Sequence, residues 1–253
     1  MDNLINSKAP AAVRLISILN YIANNEDASF TDLCKALSIP KSSTHYLLEV
    51  LTTSQFLRQR CDGRYVLGLR LFELGGLSIK NIDLRREAIE FMHELVNVTE
   101  LTSHLGILDG NRGFFLSKVE SPKAIVKTSW EGKKIIFNRM ALGKVLLAWL
   151  PESQILEILE ECNFEPRTKN TITNKHDFVQ HLKLVKQQGW AIDDGEDIAE
   201  ICCIAAPIFN KRGQVIAALG VNGMQSQYAN GKKQQHLNNL LITCKKISDV
   251  INH

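Results

Sequence analysis

The sequence predicts an α+β chain in two parts, a winged helix-turn-helix followed by a larger domain built on an antiparallel sheet. Three observations carry that reading. Two short segments of helical periodicity flank the turn Ser38–Pro40, alternating apolar and basic residues surround Cys61-Asp62-Gly63, and short strand-like runs beyond residue 100 are separated by tight turns or helices. The expected boundaries are a winged-helix domain over 1–68, a linker helix and hinge over 69–83, and the larger domain over 84–253.

Pro10 suits the first turn of a helix, where its missing N–H costs nothing, and Val13, Ile16, Leu19 and Ile22 then recur on one face. The polar break Asn24–Asp27 ends it. Ser29, with Asp32 three residues on, caps a second helix that buries Leu33, Ala36 and Leu37. Pro40 opens a third helix reaching about Thr52, with Leu47, Leu48 and Leu51 inward. Phe56–Arg60 and Arg64–Leu67 then form a two-stranded hairpin, anchored by Phe56 and Leu57. Arg70–Leu77 continues as a helix in which Gly75 and Gly76 permit either a hinge or close packing on a partner helix.

In the larger part, Leu84, Ala88, Phe91, Leu95 and Val98 mark a helical stripe. Ser103–Leu108 and Gly113–Val119 form a hairpin around Asp109-Gly110-Asn111, and Ala124–Thr128 is a further short strand. Ala141–Leu150 is a helix, and Pro151 starts another that ends near Cys162. Asn174 and Asp177 cap a third, which Gly189 stops. Ile201–Phe209 and Gln214–Val221 are strands, the sheet has one face covered, and the last helix runs from Lys232 to Ile251.

Composition narrows the chemistry. The 253 residues are 45% apolar and 23% charged, the balance of a packed globular protein. No apolar run approaches the roughly 20 residues of a bilayer span, and Asp2 and Asn3 open the chain without a signal-peptide pattern, so a cytoplasmic location is expected. Six scattered cysteines point to reduced thiols, and adjacent Cys202 and Cys203 lack zinc-site spacing, so neither metal nor cofactor is expected. No phosphate loop, HExxH site or serine elbow is present, and no catalytic residue is assigned. The acidic cluster Asp193, Asp194, Glu196 and Asp197 is explained most simply by loop solvation and end-capping.

Net charge is only +3, but Lys35–Arg70 holds six basic residues against two acidic ones, a local excess that attracts phosphate. A second helix after a short turn fits a major groove. Its leading residues Lys41, Ser42, Ser43, Thr44 and His45 are short, polar or basic, with Lys41 and Ser42 suited to phosphate and Ser43, Thr44 or His45 to base edges. One of these must also face inward. Arg58, Arg60 and Arg64 would line a basic wing against the backbone or minor groove. The pattern therefore points to double-stranded DNA as a partner.

Beyond these features, the chain resembles the IclR family of bacterial transcriptional regulators from about Ala12 to Ile251. The similarity runs through Leu37-Ser38-Ile39-Pro40-Lys41-Ser42-Ser43-Thr44-His45, Gly63-Arg64-Tyr65-Val66-Leu67-Gly68, Ala141-Leu142-Gly143-Lys144, Gly189-Trp190-Ala191-Ile192-Asp193-Asp194 and Cys203-Ile204-Ala205-Ala206-Pro207-Ile208. The resemblance implies a C-terminal effector-binding domain of GAF-like fold, homodimers or homotetramers on a palindromic operator, and a small organic or sugar acid as effector. It also implies that Asp193, Cys203, Gly220 and Asn222 contact that effector, with the loop near Arg139 close by; Arg139 or the first backbone N–H groups of the Ala141 helix would then face its charge. Apolar Ile204, Ala206 and Leu219 are expected beside them. The chain departs from the family pattern at Tyr46, where arginine is common, at Glu200 and Cys202 in place of glycine and arginine, and at Gly220 and Asn222 in place of serines. The expected function is a ligand-responsive regulator that represses a catabolic operon, repression being the commoner family outcome. The rivals are an enzyme using Cys203 with His104 or His176 as base, and an adaptor that no longer binds ligand.

Overall fold

A computed structural model describes residues 9–25, 27–79, 83–124 and 129–252. Asp2, Asn3 and Glu26 of the sequence reading, and positions 125–128 of the strand expected over Ala124–Thr128, lie outside the described residues, as do 80–82 at the end of the expected linker. The chain divides into two compact units, Met1–Asn81 and Ile82–His253.

In the first unit, α1 (Pro10–Asn24) begins on its proline, and α2 (Phe30–Ala36) begins at a complete capping box in which Ser29 and Asp32 satisfy each other's backbone N–H. α3 (Lys41–Thr53) follows the turn, then the hairpin β1 (Leu57–Gln59) and β2 (Tyr65–Leu67), and α4 (Leu69–Ile79). Ile18, Ile22, Leu33, Ile39, Leu47, Leu48, Leu51 and Leu57 form the core. The buried stripe of α1 is therefore rotated from the expected one: Ile18 is inside and Ile16 is exposed. A 3.6-residue period supports either of two neighbouring stripes, and packing on α3 and the hairpin selects between them. Ala36 is likewise exposed, with Ile39 taking its place in the core.

The second unit runs α5 (Asp83–Thr99), β3 (Thr102–Asp109), β4 (Arg112–Val119), β5 (Lys134–Ile135), α6 (Ala141–Ala148), α7 (Glu152–Glu160) and α8 (Lys175–Gln188). It continues with β6 (Ala191–Asp194), β7 (Ile201–Phe209), β8 (Val215–Met224), a 3₁₀ turn at Gln225–Tyr228 and α9 (Lys232–Ile251). The strands form one antiparallel sheet in the order β5-β4-β3-β8-β7-β6. Asn174 accepts the Asp177 N–H to start α8, and Gly189 ends it at φ 83°, a left-handed conformation that a Cβ would oppose.

Both faces of the sheet are covered. Residues 204–208 of β7 are buried without a break, the signature of a strand packed on two sides. α5 packs on β3 and β4 and α9 on β7 and β8, while α6 lies against β3, β6, β7 and β8, backed by α8. This corrects the expectation of one covered face, and it explains why Val98, expected on the buried stripe of α5, is exposed: Met92, Leu95, Val96 and Thr99 carry that contact instead.

Candidate DNA-binding surface and effector pocket

Helix α3 presents Lys41, Ser42, His45 and Tyr46 to solvent, with Ser43 half-buried. Pro40 has no side chain able to cap the helix, so the first-turn N–H groups of α3 stay open to an anion. Thr44 is different. It is fully buried, and its hydroxyl donates to the Pro40 carbonyl at 3.1 Å. It is the inward residue of the five expected contacts, and the base-reading role given to it is corrected to core packing. Tyr46, 65% exposed, stands on the same outer face as Ser42 and His45. Sequence reading saw it only as a missing arginine, although the one-turn spacing from Ser42 marks it as a neighbour.

Arg58 is exposed and makes no ion pair among the described residues. Arg60 lies 3.8 Å from both Asp27 and Asp62. Arg64 donates to the Asp27 carbonyl at 2.9 Å and lies 3.5 Å from its carboxylate. Such exposed pairs are worth at most about 1 kcal/mol, so a phosphate can displace them.

In the second unit, antiparallel register brings distant positions into one row. Asp193 pairs with Cys203, Cys203 with Asn222, and Asn222 with Thr102, across β6, β7, β8 and β3. A small pocket, partly open to solvent, lies over this row. Asp193, Cys203 and Asn222 line it together with His104, Lys133 and Met140, and Phe115, Leu142, Ile198 and Ile201 supply apolar walls. The amide oxygen of Asn222 is buried with no partner among the described residues.

Two expected contacts fall elsewhere. A Cβ on Gly220 would lie 2.9 Å from the Ile204 carbonyl oxygen and 3.4 Å from Leu142, so this glycine admits α6 to the sheet and does not line the pocket. Arg139 lies 3.4 Å from Asp197 and outside the pocket wall, while Lys133 supplies the wall's cation. The expected apolar neighbours Ile204 and Ala206 project from the opposite face to Cys203, because side chains alternate along a strand. Glu200 is exposed and Cys202 is buried on that opposite face, so neither departure alters the pocket.

The acidic cluster is more than loop solvation. Asp193, only 5% exposed, accepts the Glu196 N–H at 2.7 Å, and burial pushes its carboxyl up to about 7. Glu196 is buried against Lys144, whose ammonium is wholly inside and donates to Glu196 at 2.5 Å and to the Ile192 carbonyl at 2.7 Å. Burial raises the Glu196 carboxyl, against the opposing pull of Lys144. The Thr168 and Thr171 hydroxyls bond the carbonyls of Gly195 and Glu196 at 2.6 Å and fasten the same loop from outside. His104 was read only as a remote candidate base. It is buried against Phe115, bonded to Ser129 at 2.6 Å, and held neutral by burial with a pKa of about 3. Burial raises the Cys203 thiol well above its ordinary value, which leaves no thiolate nucleophile at neutral pH. His176 is exposed on the first turn of α8, away from the pocket.

Comparison with known proteins matches both units to one family. Residues 11–60 match the model of the IclR helix-turn-helix domain, and residues 76–249 match that of the bacterial transcriptional regulator IclR C-terminal domain. The HTH-type transcriptional regulator RhmR of Escherichia coli, uncharacterized by its own description, is 37% identical over 243 residues, spanning 96% of this chain and 93% of that protein. The crystal structure of Thermotoga maritima IclR superposes with a TM-score of 0.75 at 27% identity, covering 96% of this chain and 99% of that one. An IclR homolog from Microbacterium hydrocarbonoxydans, crystallised with 4-hydroxybenzoate, shares the fold with a TM-score of 0.80 at 21% identity over 95% of this chain and 98% of its own. With an exposed recognition helix and basic wing in one unit, a lined pocket in the other, and both family models matched, the chain belongs to the IclR family of DNA-binding bacterial transcriptional regulators, which are not enzymes.

Proposed function

We propose that this regulator is a ligand-responsive repressor of a catabolic operon in the cytoplasm, and that a small organic or sugar acid occupies the pocket over Asp193, Cys203 and Asn222. The observation that carries the reading is the Asn222 amide oxygen, buried in the pocket wall with no partner among the described residues. A buried acceptor left unpaired costs about 1–3 kcal/mol, and an effector hydroxyl would satisfy it. Lys133 on the same wall favours a carboxylate, and the bound 4-hydroxybenzoate of the Microbacterium homolog is a hydroxylated acid of that kind. For repression to be relieved, the acid must bind the DNA-competent and DNA-incompetent arrangements unequally.

DNA binding is proposed to use a homodimer, or a homotetramer, on a palindromic operator. Two recognition helices about 34 Å apart read two half-sites. Helix α4 leaves Leu69, Phe72 (80% exposed) and Leu77 uncovered among the described residues, and Gly75 and Gly76 lie open beside them, so a second copy has an apolar helix face to bury.

Calorimetry against gluconate, pyruvate and 4-hydroxybenzoate, paired with operator binding by fluorescence anisotropy, tests the reading. Asn222→Ala should weaken binding of the active acid and blunt its effect on operator affinity, with DNA affinity in the absence of acid unchanged. An acid that bound wild type and Asn222→Ala equally would place the pocket elsewhere. If no acid bound and operator affinity never changed, the adaptor reading would replace this one.

A further inference from the structure

The pocket poses an electrostatic problem for any acid. Its wall carries two carboxylates, Asp193 and Asp197, and Asp197 is already matched by Arg139 at 3.4 Å. Asp193 makes no ion pair among the described residues, and Lys144, which acts on it from α6, is bonded to Glu196. One Asp193 oxygen accepts the Glu196 N–H, and the other has no hydrogen-bond partner among the described residues while its side chain lines the cavity. A bound carboxylate beside an ionised Asp193 would place two like charges together at a carboxyl that is itself almost wholly buried, an arrangement in which one group holds a proton.

We propose that the acid effector enters this pocket together with one proton from solvent, which the Asp193 carboxyl and the effector carboxylate share. The inference rests on the acid reading given above and adds the protonation state in which the acid is held. Protonated Asp193 donates a hydrogen bond where the ionised form would repel, Lys133 stands on the same wall, and Asn222 accepts from a hydroxyl of the ligand.

The surroundings agree. On the β6 side, Glu196 and Asp197 both raise Asp193, and Asp194 is exposed. From α6, Lys144 lowers it, but that ammonium is held by Glu196 and by the Ile192 carbonyl. From β7, the thiols of Cys202 and Cys203 are both pushed up by burial, and beyond β8 the Tyr228 hydroxyl is committed to the Val221 carbonyl at 2.7 Å. From β3, His104 is neutral over the whole physiological range. Burial therefore dominates, and it sets Asp193 to about 7, where a modest change of cytoplasmic pH alters its protonation.

The sign follows directly. Below about pH 6 Asp193 is already protonated and the affinity for an acid is flat, whereas above its pKa of about 7 the competent fraction falls tenfold per pH unit. Titration calorimetry of the full chain with gluconate, with pyruvate and with 4-hydroxybenzoate, from about pH 6 to about pH 8.5, should show the dissociation constant rising about thirtyfold. Repeating it in buffers of low and high ionisation heat should give an uptake close to one proton per ligand at the upper end and near zero at the lower. Asp193→Asn, which cannot titrate, should flatten the affinity to within about twofold and abolish proton uptake. The wild-type series decides the matter even if that variant does not fold. An acid that binds with the same affinity at every pH and without proton uptake sinks the shared proton and leaves the acid reading standing. The same pH slope in Asp193→Asn would move the proton to another group and overturn the assignment. Failure of gluconate, pyruvate and 4-hydroxybenzoate alike to bind at any pH would overturn the acid reading itself, and the inference with it.

Discussion

Lys144→Met is the perturbation that interrogates the buried loop most directly. The lysine is wholly inside, and its ammonium bonds both the Glu196 carboxylate and the Ile192 carbonyl. Removing it strands a nearly buried carboxylate, one of whose oxygens already lacks a partner among the described residues. Breaking such a pair from one side costs about 3–5 kcal/mol, whereas replacing both partners with apolar groups of similar volume is often neutral. Lys144→Met should therefore lower the urea midpoint of the second unit by about 1–2 M, and adding Glu196→Leu should recover most of the loss. Tryptophan fluorescence is the assay, because Trp130, Trp149 and Trp190 all lie in Ile82–His253 and report on that unit. The pH dependence has a definite sign. Burial already raises the Glu196 carboxyl, and losing Lys144 raises it further. A carboxyl with a raised native pKa favours the fold at low pH and loses that contribution as pH rises, so the defect of Lys144→Met should be smallest in mild acid. A cost below about 1 kcal/mol, or a double variant no more stable than the single one, would refute the claim that this ion pair holds the loop carrying Asp193.

On the DNA-facing unit, His45→Ala should cost about 1–3 kcal/mol in discrimination between operator and random duplex, while Thr44→Ala should lower thermal stability and weaken both DNAs alike. Selective loss of operator discrimination in Thr44→Ala would return that residue to the base-reading set. Arg58→Ala should reduce the slope of log affinity against log salt by about 0.9, with smaller effects from Arg60→Ala and Arg64→Ala, which already share Asp27. An unchanged slope in all three would remove the wing from the backbone contact. Gly220→Ala should destabilise the second unit by about 1–3 kcal/mol, since its Cβ would press on the Ile204 carbonyl oxygen, and a neutral result in the urea assay would show that the strands yield there. His104 stabilises the fold in its neutral form: a depressed native pKa of about 3 means stability present above about pH 6.5 and lost as pH falls toward 3. His104→Phe should flatten that acid-limb loss, and an acid limb identical to wild type would assign it to other groups.

How much of this was legible in the chain depends on the range over which each feature is decided. Local signals read well. The limits of α9, the cap of α8 by Asn174 and Asp177 with its stop at Gly189, the Ser29–Asp32 box and the inward Leu47, Leu48 and Leu51 depend on neighbours within a turn or two. The bases of the wing and their local charge excess were equally plain, because charge needs no register to be counted. Resemblance to a family named Asp193, Cys203 and Asn222, and the sheet brings these three together on one pocket wall. What only the tertiary structure decided is everything that needs a partner far along the chain. Which of Lys41 to His45 turns inward is set by the elements packed against α3, and Thr44 lost its assigned role there. The unbroken apolar run in β7 already signals a strand packed on two sides, but which helices cover the sheet, α5, α6 and α9, is decided only by packing. His104, Lys133 and Met140 join the pocket from three separate segments, and no spacing announces them. Gly220 and Arg139 left it for the same reason: a glycine's purpose depends on what approaches it, and a cation's on which anion comes within reach.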